Sequence, residues 1–374
     1  MTESTSPIRY AVLGLGHIAQ VAVLPAFQNA ENAKLTALIS GDKTKREELG
    51  KRYKIDASHR FDYEDFDDFL AADLADALYI ALPNHLHHEY TLRAARAGLH
   101  ILCEKPLAVT SEECKEMIKA CEDQGVLLMT AYRLHFEAAN MKALQAAKEG
   151  HFGDLRYFQA SFSQDVTEGD VRLMPLSKGG GTIYDMGIYC INAARYLFGA
   201  EPLEVVAMSA SKKGDDRFKV CDEMTTVLMR FPEDRLASFT SSFGAFATST
   251  YRLVGTKGEV LLNPAFGYAT NLAYEFHQAN GHVHEETFEK RDQFGPQLLY
   301  FSDCILQGKR PEPDGYEGLV DVQIIEAIYE SARTGEPQTL DLDSPPDRPD
   351  AAQIITMPGF SKPEEIHASS PSEG

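Results

Sequence analysis

The chain has 374 residues, more than one hydrophobic core usually holds, so two domains are expected. Hydrophobic residues make up 44% and charged residues 25%, ordinary for a globular protein, and the net charge of −20 argues against nucleic acid and anionic membrane as partners. No apolar run approaches the roughly 20 residues of a membrane span, and residues 1–7 lack the apolar core of a signal peptide.

Residues 9–13 read as a short apolar strand running into Gly14-Leu15-Gly16-His17-Ile18-Ala19 and then a helix to about Gln28. G-x-G-x-x-A between a strand and a helix is the setting of a dinucleotide-binding turn. Gly14 permits the tight turn, Gly16 lets backbone approach a pyrophosphate, and Ala19 still allows close helix–strand packing. The helix start offers N–H groups and a positive dipole end to phosphate. A plain βα turn of small residues is the competing reading. The second strand, 35–39, ends at Ser40-Gly41-Asp42 with Lys43, Lys45 and Arg46 behind it. NAD sites usually place an acidic residue here for the ribose 2′-hydroxyl. A small hydroxyl with basic residues nearby favours a 2′-phosphate, hence NADP. A shift of register would make Asp42 the ribose ligand and leave NAD open.

Helices are read at 47–53 and 66–72. Residues 77–82 are apolar throughout, as buried parallel strands are, and end in Pro83-Asn84-His85-Leu86-His87-His88, which sets Asn84 at the nucleotide. The three histidines open a helix (89–97) with core-like later residues, so no metal site is expected. Gly98 caps that helix. The next strand, 101–103, stops at Glu104-Lys105-Pro106, because proline has no N–H for a sheet. Strand ends of open α/β sheets bind ligands, and a desolvated lysine there can carry a proton or lower the pKa of a neighbouring hydroxyl. The alternative is a surface ion pair of little worth. Thr110 and Glu113 make a capping box for a helix to Gln124; Gly125 ends it, and 126–130 is a further strand.

Strands are then read at 155–162, 205–211, 224–231, 237–243, 251–255 and 259–262, with turns at 232–234 and 256–258. Residues 274–277 and 283–288 pair across Asn280-Gly281, which leaves His277, His282 and His284 exposed. Following a helix at 188–197, this succession suggests one wide, mostly antiparallel sheet. Helices close the series at 294–307 and 318–334. Beyond Leu340, Pro345, Pro346, Pro349, Pro358, Pro363 and Pro371 break any regular element, and a free tail is the default expectation. Ile354, Ile355, Met357 and Phe360 offer the alternative of a strap on its own or a neighbouring subunit. Cys103, Cys114, Cys121, Cys190, Cys221 and Cys304 are scattered with no C-x-x-C pair, so reduced thiols and a cytoplasmic location are expected, and no clustered metal ligands are found.

Together, G-x-G-x-x-A at 14–19, L-P-N-x-x-H at 82–87 and A-G-x-H-x-x-C-E-K-P at 97–106 resemble the glucose–fructose oxidoreductase / inositol dehydrogenase family, over about residues 8–340. The resemblance implies an α/β plus α+β fold. A Rossmann parallel sheet (1–130) precedes a substrate-binding and oligomerisation domain (131–340) with a large, mostly antiparallel open sheet; 341–374 is a proline-rich tail. It implies that Lys105 of E-K-P is catalytic beside the nicotinamide. Cofactor contacts come from Gly14, Leu15, Gly16, His17, Ile18, Pro83, Asn84, His87, Glu104 and Lys105.

Within the family the chain most resembles the glucose–fructose (aldose) oxidoreductase branch. Ser40-Gly41 with Lys45 matches its NADP-binding serine and lysine, and residues 179–189 match its G-G-G-x-x-x-D-x-G-I-Y, continued by N-A-A-R-Y-L-F-G at 192–199. Tyr189 stands where the wider family has the histidine of D-x-G-x-H. Arg172 stands where the branch has a Trp-Arg pair on the cofactor; Val171 replaces the tryptophan, and the chain has no Trp. An alcohol losing hydride must also lose a proton. Tyr189 is the candidate acid/base, with Lys105 supplying charge, Glu104 orienting it, and Asp185 sharing the face of Tyr189 at i, i+4 spacing. Asp185 would bind a sugar hydroxyl or tune Tyr189. Arg133 and His135 follow a strand end and are candidates to line the sugar pocket, His135 being more often simply a polar neighbour; Arg133 is also a candidate cofactor contact.

The expected function is NADP-dependent oxidation of an aldopyranose at C1 to its lactone, extended to reduction of a second sugar by the same tightly held cofactor. Alternatives are an ordinary NAD(P)-dependent dehydrogenase or reductase of a polyol, anhydrosugar or keto-sugar, an NAD-dependent glycosidase, or a non-catalytic NADP sensor. The expected partners are a sugar and further copies of the chain, as a homodimer or homotetramer joined through the open sheet.

Overall fold

The computed structural model describes residues 6–344 and 348–372; Pro345, Pro346 and residues 1–5 lie outside the described residues. β1 (Ile8–Leu13), β2 (Ala33–Ile39), β3 (Arg60–Phe61), β4 (Ala77–Ile80), β5 (His100–Cys103) and β6 (Leu128–Thr130) form a parallel sheet in the order β3-β2-β1-β4-β5-β6. The strand order reverses between β1 and β4, and the crevice beyond their carboxyl ends is where such sheets bind ligands. All four residues of β4 are buried. The helix after the glycine turn is irregular: a π-helical turn, Ala19–Val23, runs into α1 (Leu24–Ala26). Pro25 has no N–H to bond back to Val21, and the Leu24 N–H reaches the Ala19 carbonyl. α2 (Lys43–Arg52), α3 (Phe66–Ala71), α4 (His87–Arg96) and α5 (Ser111–Gln124) follow. The capping box of Thr110 and Glu113 forms, and Gly125 ends α5 in the left-handed conformation that glycine adopts without strain.

The second sheet has nine strands: β7 (Leu155–Asp165), β8 (Glu204–Ala210), β9 (Met224–Phe231), β10 (Arg235–Ser242), β11 (Gly244–Gly255), β12 (Gly258–Leu262), β13 (Leu272–Gln278), β14 (Val283–Phe288) and β15 (Gln338–Thr339). Their order is β14-β13-β12-β11-β7-β10-β9-β8-β15, antiparallel except for β7 beside β10. Strict alternation in β9 turns Thr225, Val227, Met229 and Phe231 inward and Met224, Thr226, Leu228 and Arg230 outward. The inner face packs on the helix Ile188–Phe198, whose ten buried positions make it a core element.

Three features depart from the sequence reading. A helix, Ala138–Lys148, occupies a stretch read as neither helix nor strand; its alanine-rich sequence carries the propensity, and Glu137 caps it by accepting from the N–H groups of Ala139 and Asn140. The helix Gly295–Gln307 returns to the first sheet, where Ser302 meets the hydroxyl of Tyr10 at 2.9 Å, so the chain does not divide cleanly at residue 130. The helix Gly315–Thr334 bridges both units: the Asp314 carbonyl before it accepts from Thr130 Oγ1, and Ser331 Oγ near its end accepts from the Ala207 N–H.

The default of a free tail does not hold. Described residues 348–372 lie along their own chain, as in the strap alternative. The Ile355 N–H donates to the Phe136 carbonyl at 3.3 Å, Met357 bridges to Asp292, and Ile355, Phe360 and Ile366 join the apolar cluster of the first sheet. Burying those side chains offsets the conformational entropy that would otherwise keep a proline-rich segment mobile.

Candidate active site

A cavity of about 1210 Å³ lies between the carboxyl ends of β1, β4 and β5 and the central strands β7 and β11 of the second sheet. Small-molecule sites commonly measure about 300–1,000 Å³, so there is room for a dinucleotide together with a sugar. Gly14 has φ +94°, and a Cβ there would meet the Ala81 carbonyl oxygen at 2.4 Å, so only glycine fits the turn. A Cβ on Gly16 would find nothing within 4 Å; that residue opens onto the cavity and leaves space for a phosphate.

Gly16, His17, Ile18, Lys45, Pro83, Asn84, Glu104, Lys105, Arg133, Arg172, Asp185 and Tyr189 all line the cavity. Gly14, Leu15 and Ser40, also expected at the cofactor, are not on its wall: they belong to the turn and the strand end, and the Ser40 hydroxyl accepts the Asp42 N–H at 3.2 Å. His87, an expected cofactor contact, serves elsewhere, and His135 is the polar neighbour that its alternative reading made it. His87 is fully buried, with ring nitrogens 2.9 Å from the Pro106 and Leu82 carbonyls, so it ties two strand ends together and does not face a cofactor. His135 is fully buried between Glu312 and Asn192, out of reach of a sugar. The spacing of both histidines was legible, but the direction of their rings was not.

The nucleotide end distinguishes the basic residues. Arg46 is held by Asp62 and the Ser40 carbonyl. Lys45 has no ion-pair partner among the described residues and faces the cavity. Asp42 caps α2 by accepting the Lys45 N–H at 3.1 Å, and its other oxygen meets His367 at 2.9 Å. A carboxylate committed this way is poorly placed to take a ribose hydroxyl, which removes the argument for NAD drawn from a register shift.

At the other end, Lys105 Nζ donates to the Asp185 carbonyl at 2.7 Å and to its carboxylate at 3.3 Å, and lies 4.6 Å from the Tyr189 ring centroid. Lys105 is therefore not half of a surface pair with Glu104. Tyr79 donates to Glu104 at 2.8 Å; burial pushes the Glu104 carboxyl up, against the opposing pull of Lys105 and Tyr79. Burial also works against an ionised Asp185. Arg172, donating at 2.7 Å, and Lys105 overcome it and hold the carboxyl well below the usual carboxylate range.

Asp185 lies in a π-helical turn, Ile183–Gly187, ahead of the helix carrying Tyr189. Its carboxylate meets two cations and not the Tyr189 phenol. The i, i+4 reading assumed a regular helix, which the extra residue of the turn breaks. Arg133 also lies over this ring, its guanidinium 5.0 Å from the Tyr189 centroid and anchored by Gln293 and the Phe266 carbonyl. Asn84 donates to the Gly179 carbonyl at 2.7 Å, joining the nucleotide strand end to the glycine loop of the second unit. Val171 stands half-exposed on the cavity wall.

Sequence reasoning missed Tyr268 and Phe266, which come from loops without motif and line the cavity, Gln293, which anchors Arg133, and tail residues 367–372, which also line the cavity. His85, His87 and His88 diverge: His88 pairs with Glu116, and among the described residues no three His, Cys, Asp or Glu side chains are grouped to hold a metal ion. No helix among the described residues is long and apolar enough to cross a membrane.

Comparison with known proteins agrees with this geometry. Residues 8–132 match the family described as GFO_IDH_MocA, oxidoreductase family, NAD-binding Rossmann fold, and residues 140–261 match the GFO/IDH/MocA C-terminal domain. The chain is 32% identical over 349 residues to D-xylose 1-dehydrogenase [NADP(+)] of Haloarcula marismortui, covering 91% of this chain and 95% of that one. It is similar to the crystal structure of aldose-aldose oxidoreductase from Caulobacter crescentus complexed with glycerol (TM-score 0.85, 37% identity, 89% of this chain and 100% of that chain). It is also similar to a 3-ketoreductase from Actinomadura kijaniata in complex with NADP and TDP-benzene (TM-score 0.78, 26% identity, 87% and 98%). A dinucleotide turn, a lysine at the end of β5 and an open nine-stranded sheet, matched along nearly the whole chain, make this protein an NAD(P)-dependent oxidoreductase of the GFO/IDH/MocA family.

Proposed function

We propose that the protein is an NADP-dependent sugar oxidoreductase that oxidises an aldopyranose at C1 to its lactone and reduces a second sugar with the same NADP(H). The observation that carries this reading is the meeting of Lys105, Tyr189 and Asp185 on the wall of a cavity whose other end holds Gly16 and Lys45. When bound, NADP supplies the nicotinamide ring that takes up hydride. Gly16 and the helix start receive the pyrophosphate, and Lys45 receives the 2′-phosphate. Tyr189 takes the proton of the C1 hydroxyl, and the Lys105 ammonium stabilises the developing alkoxide. Asp185 positions Lys105 through two hydrogen bonds, and Arg172 fixes Asp185. Return of the proton through Tyr189 serves reduction of the second sugar.

The likeness to a D-xylose 1-dehydrogenase favours a second reading, an ordinary dehydrogenase whose cofactor leaves after each turnover. Denaturing the purified protein and identifying the released nucleotide, then presenting the native protein with an aldose panel, separates the two. One NADP(H) per chain, reduced once by an aldose and reoxidised by a second sugar, is the expected result. A chain that turns over only with added NADP is the ordinary dehydrogenase, and oxidation of no aldose overturns both readings.

The assembly proposed is a homodimer or homotetramer joined through the outer face of the second sheet, where Tyr157, Met208, Leu228 and Leu236 are exposed together. All six cysteines are buried and unpaired, in keeping with a reducing cytoplasm.

A further inference from the structure

Residues 364–371 run past the glycine turn and α2 to the cavity, which residues 367–371 line, and are fastened at both sides. Glu365 meets His17 of the glycine turn at 2.7 Å. The Ile366 N–H donates to Gln20 Oε1 at 2.8 Å, and its carbonyl accepts from Gln20 Nε2 at 2.9 Å. His367 reaches Asp42 beside the adenosine position at 2.9 Å, and the Glu364 carbonyl accepts from Arg52 at 2.8 Å. The segment then leaves the first unit for the second, where the Pro371 carbonyl accepts the Thr167 N–H at 2.9 Å. Between these fastenings Ala368, Ser369 and Ser370 face the cavity, and their small side chains leave its volume open.

We propose that residues 364–371 are a further part of the cofactor-binding site, a roof that keeps NADP(H) from exchanging between turnovers. The proposal rests on the reading of this cavity as an NADP site and names the element that holds the cofactor there. A dinucleotide running from Gly16 to Lys45 passes beneath His367 to Pro371, which line the cavity, and the contacts of Glu365, Ile366 and His367 that hold this stretch in place must break before the dinucleotide leaves. Because the cavity keeps its volume beneath the segment, the segment covers the site without filling it, which distinguishes a roof from a plug.

The test uses the full chain, a chain truncated after Ser361, and I366P, which deletes the N–H given to Gln20 while keeping the segment. Nucleotide content is measured after gel filtration, and NADPH release is followed by fluorescence during a chase with excess NADP. The full chain is expected to retain NADP(H), and both variants to release it about tenfold faster or more, since a closed state that loses even one buried hydrogen bond opens about that much more often. Both should regain aldose oxidation when NADP is added. Equal release rates for the full chain and I366P overturn the roof even if the truncated chain fails to fold. Tighter NADP binding after truncation also overturns it, by showing a plug. Free exchange in the full chain with aldose oxidation intact overturns the roof alone. Retained NADP with no aldose oxidised by any form overturns the functional reading and leaves the roof standing.

Discussion

The Lys105 ammonium stands 4.6 Å from the ring centroid of Tyr189 while the same nitrogen is bonded to Asp185, so one cation is shared between a candidate acid/base and the carboxylate that positions it. Tyr189→Phe keeps the ring under the cation and removes only the hydroxyl. We expect kcat to fall about 100-fold to 10,000-fold, the usual share of general acid–base catalysis, with NADP affinity unchanged by titration. Lys105→Met should cost at least as much. A Tyr189→Phe enzyme near wild-type turnover would remove Tyr189 from proton transfer.

Asp185→Asn leaves Lys105 and Arg172 without their shared anion. Hydrogen bonds to charged groups contribute about 1.5–3 kcal/mol each at most, so a visible drop in Tm is expected near neutral pH. The pH dependence has a fixed sign. The folded protein holds this carboxyl below its ordinary value of 3.8, so its contribution to stability is present above that value and is lost as pH falls toward the folded-state pKa. Thermal scans of wild type and variant should therefore converge on acidification through the carboxylate range. A gap in Tm that stays constant would contradict the assignment.

Lys45→Ala should weaken NADP about tenfold, the scale of one charge-assisted contact in a half-exposed site, and leave NAD affinity unchanged. Comparing kcat/KM for the two cofactors measures this directly. Equal losses for both would place Lys45 away from the 2′-phosphate.

Met208 and Leu228 lie on the outer face of the second sheet, 77% and 56% exposed. Charges introduced by Met208→Lys with Leu228→Lys should disperse an assembly joined through that face and leave the fold intact. Light scattering reads the mass, and circular dichroism checks the secondary structure. A wild-type chain already monomeric would dismiss the interface.

The fold was legible because its signals are local. A glycine turn between strand and helix, apolar runs ending at Asn84 and Lys105, and the alternation of β9 each mark their own element. The place of Lys105 at the end of β5, on the cavity wall, was legible for the same reason. What failed depended on direction in space. His87 sits in a readable position, yet its ring turns inward to two carbonyls. Asp185 was read on a regular helix, and the π-helical turn rotated it away from the Tyr189 phenol. The tail looked unstructured because its stabilising contacts lie across the sequence, where no local pattern records them.

The contact between His17 and Glu365 spans 348 residues, and that between Gln20 and Ile366 spans 346. Contacts of such separation form late, after the sheets between them. During synthesis the glycine turn therefore emerges, folds and is open to nucleotide long before residue 365 has been made. On the proposed roof, the segment that closes the cavity is thus the last part of the site to be made.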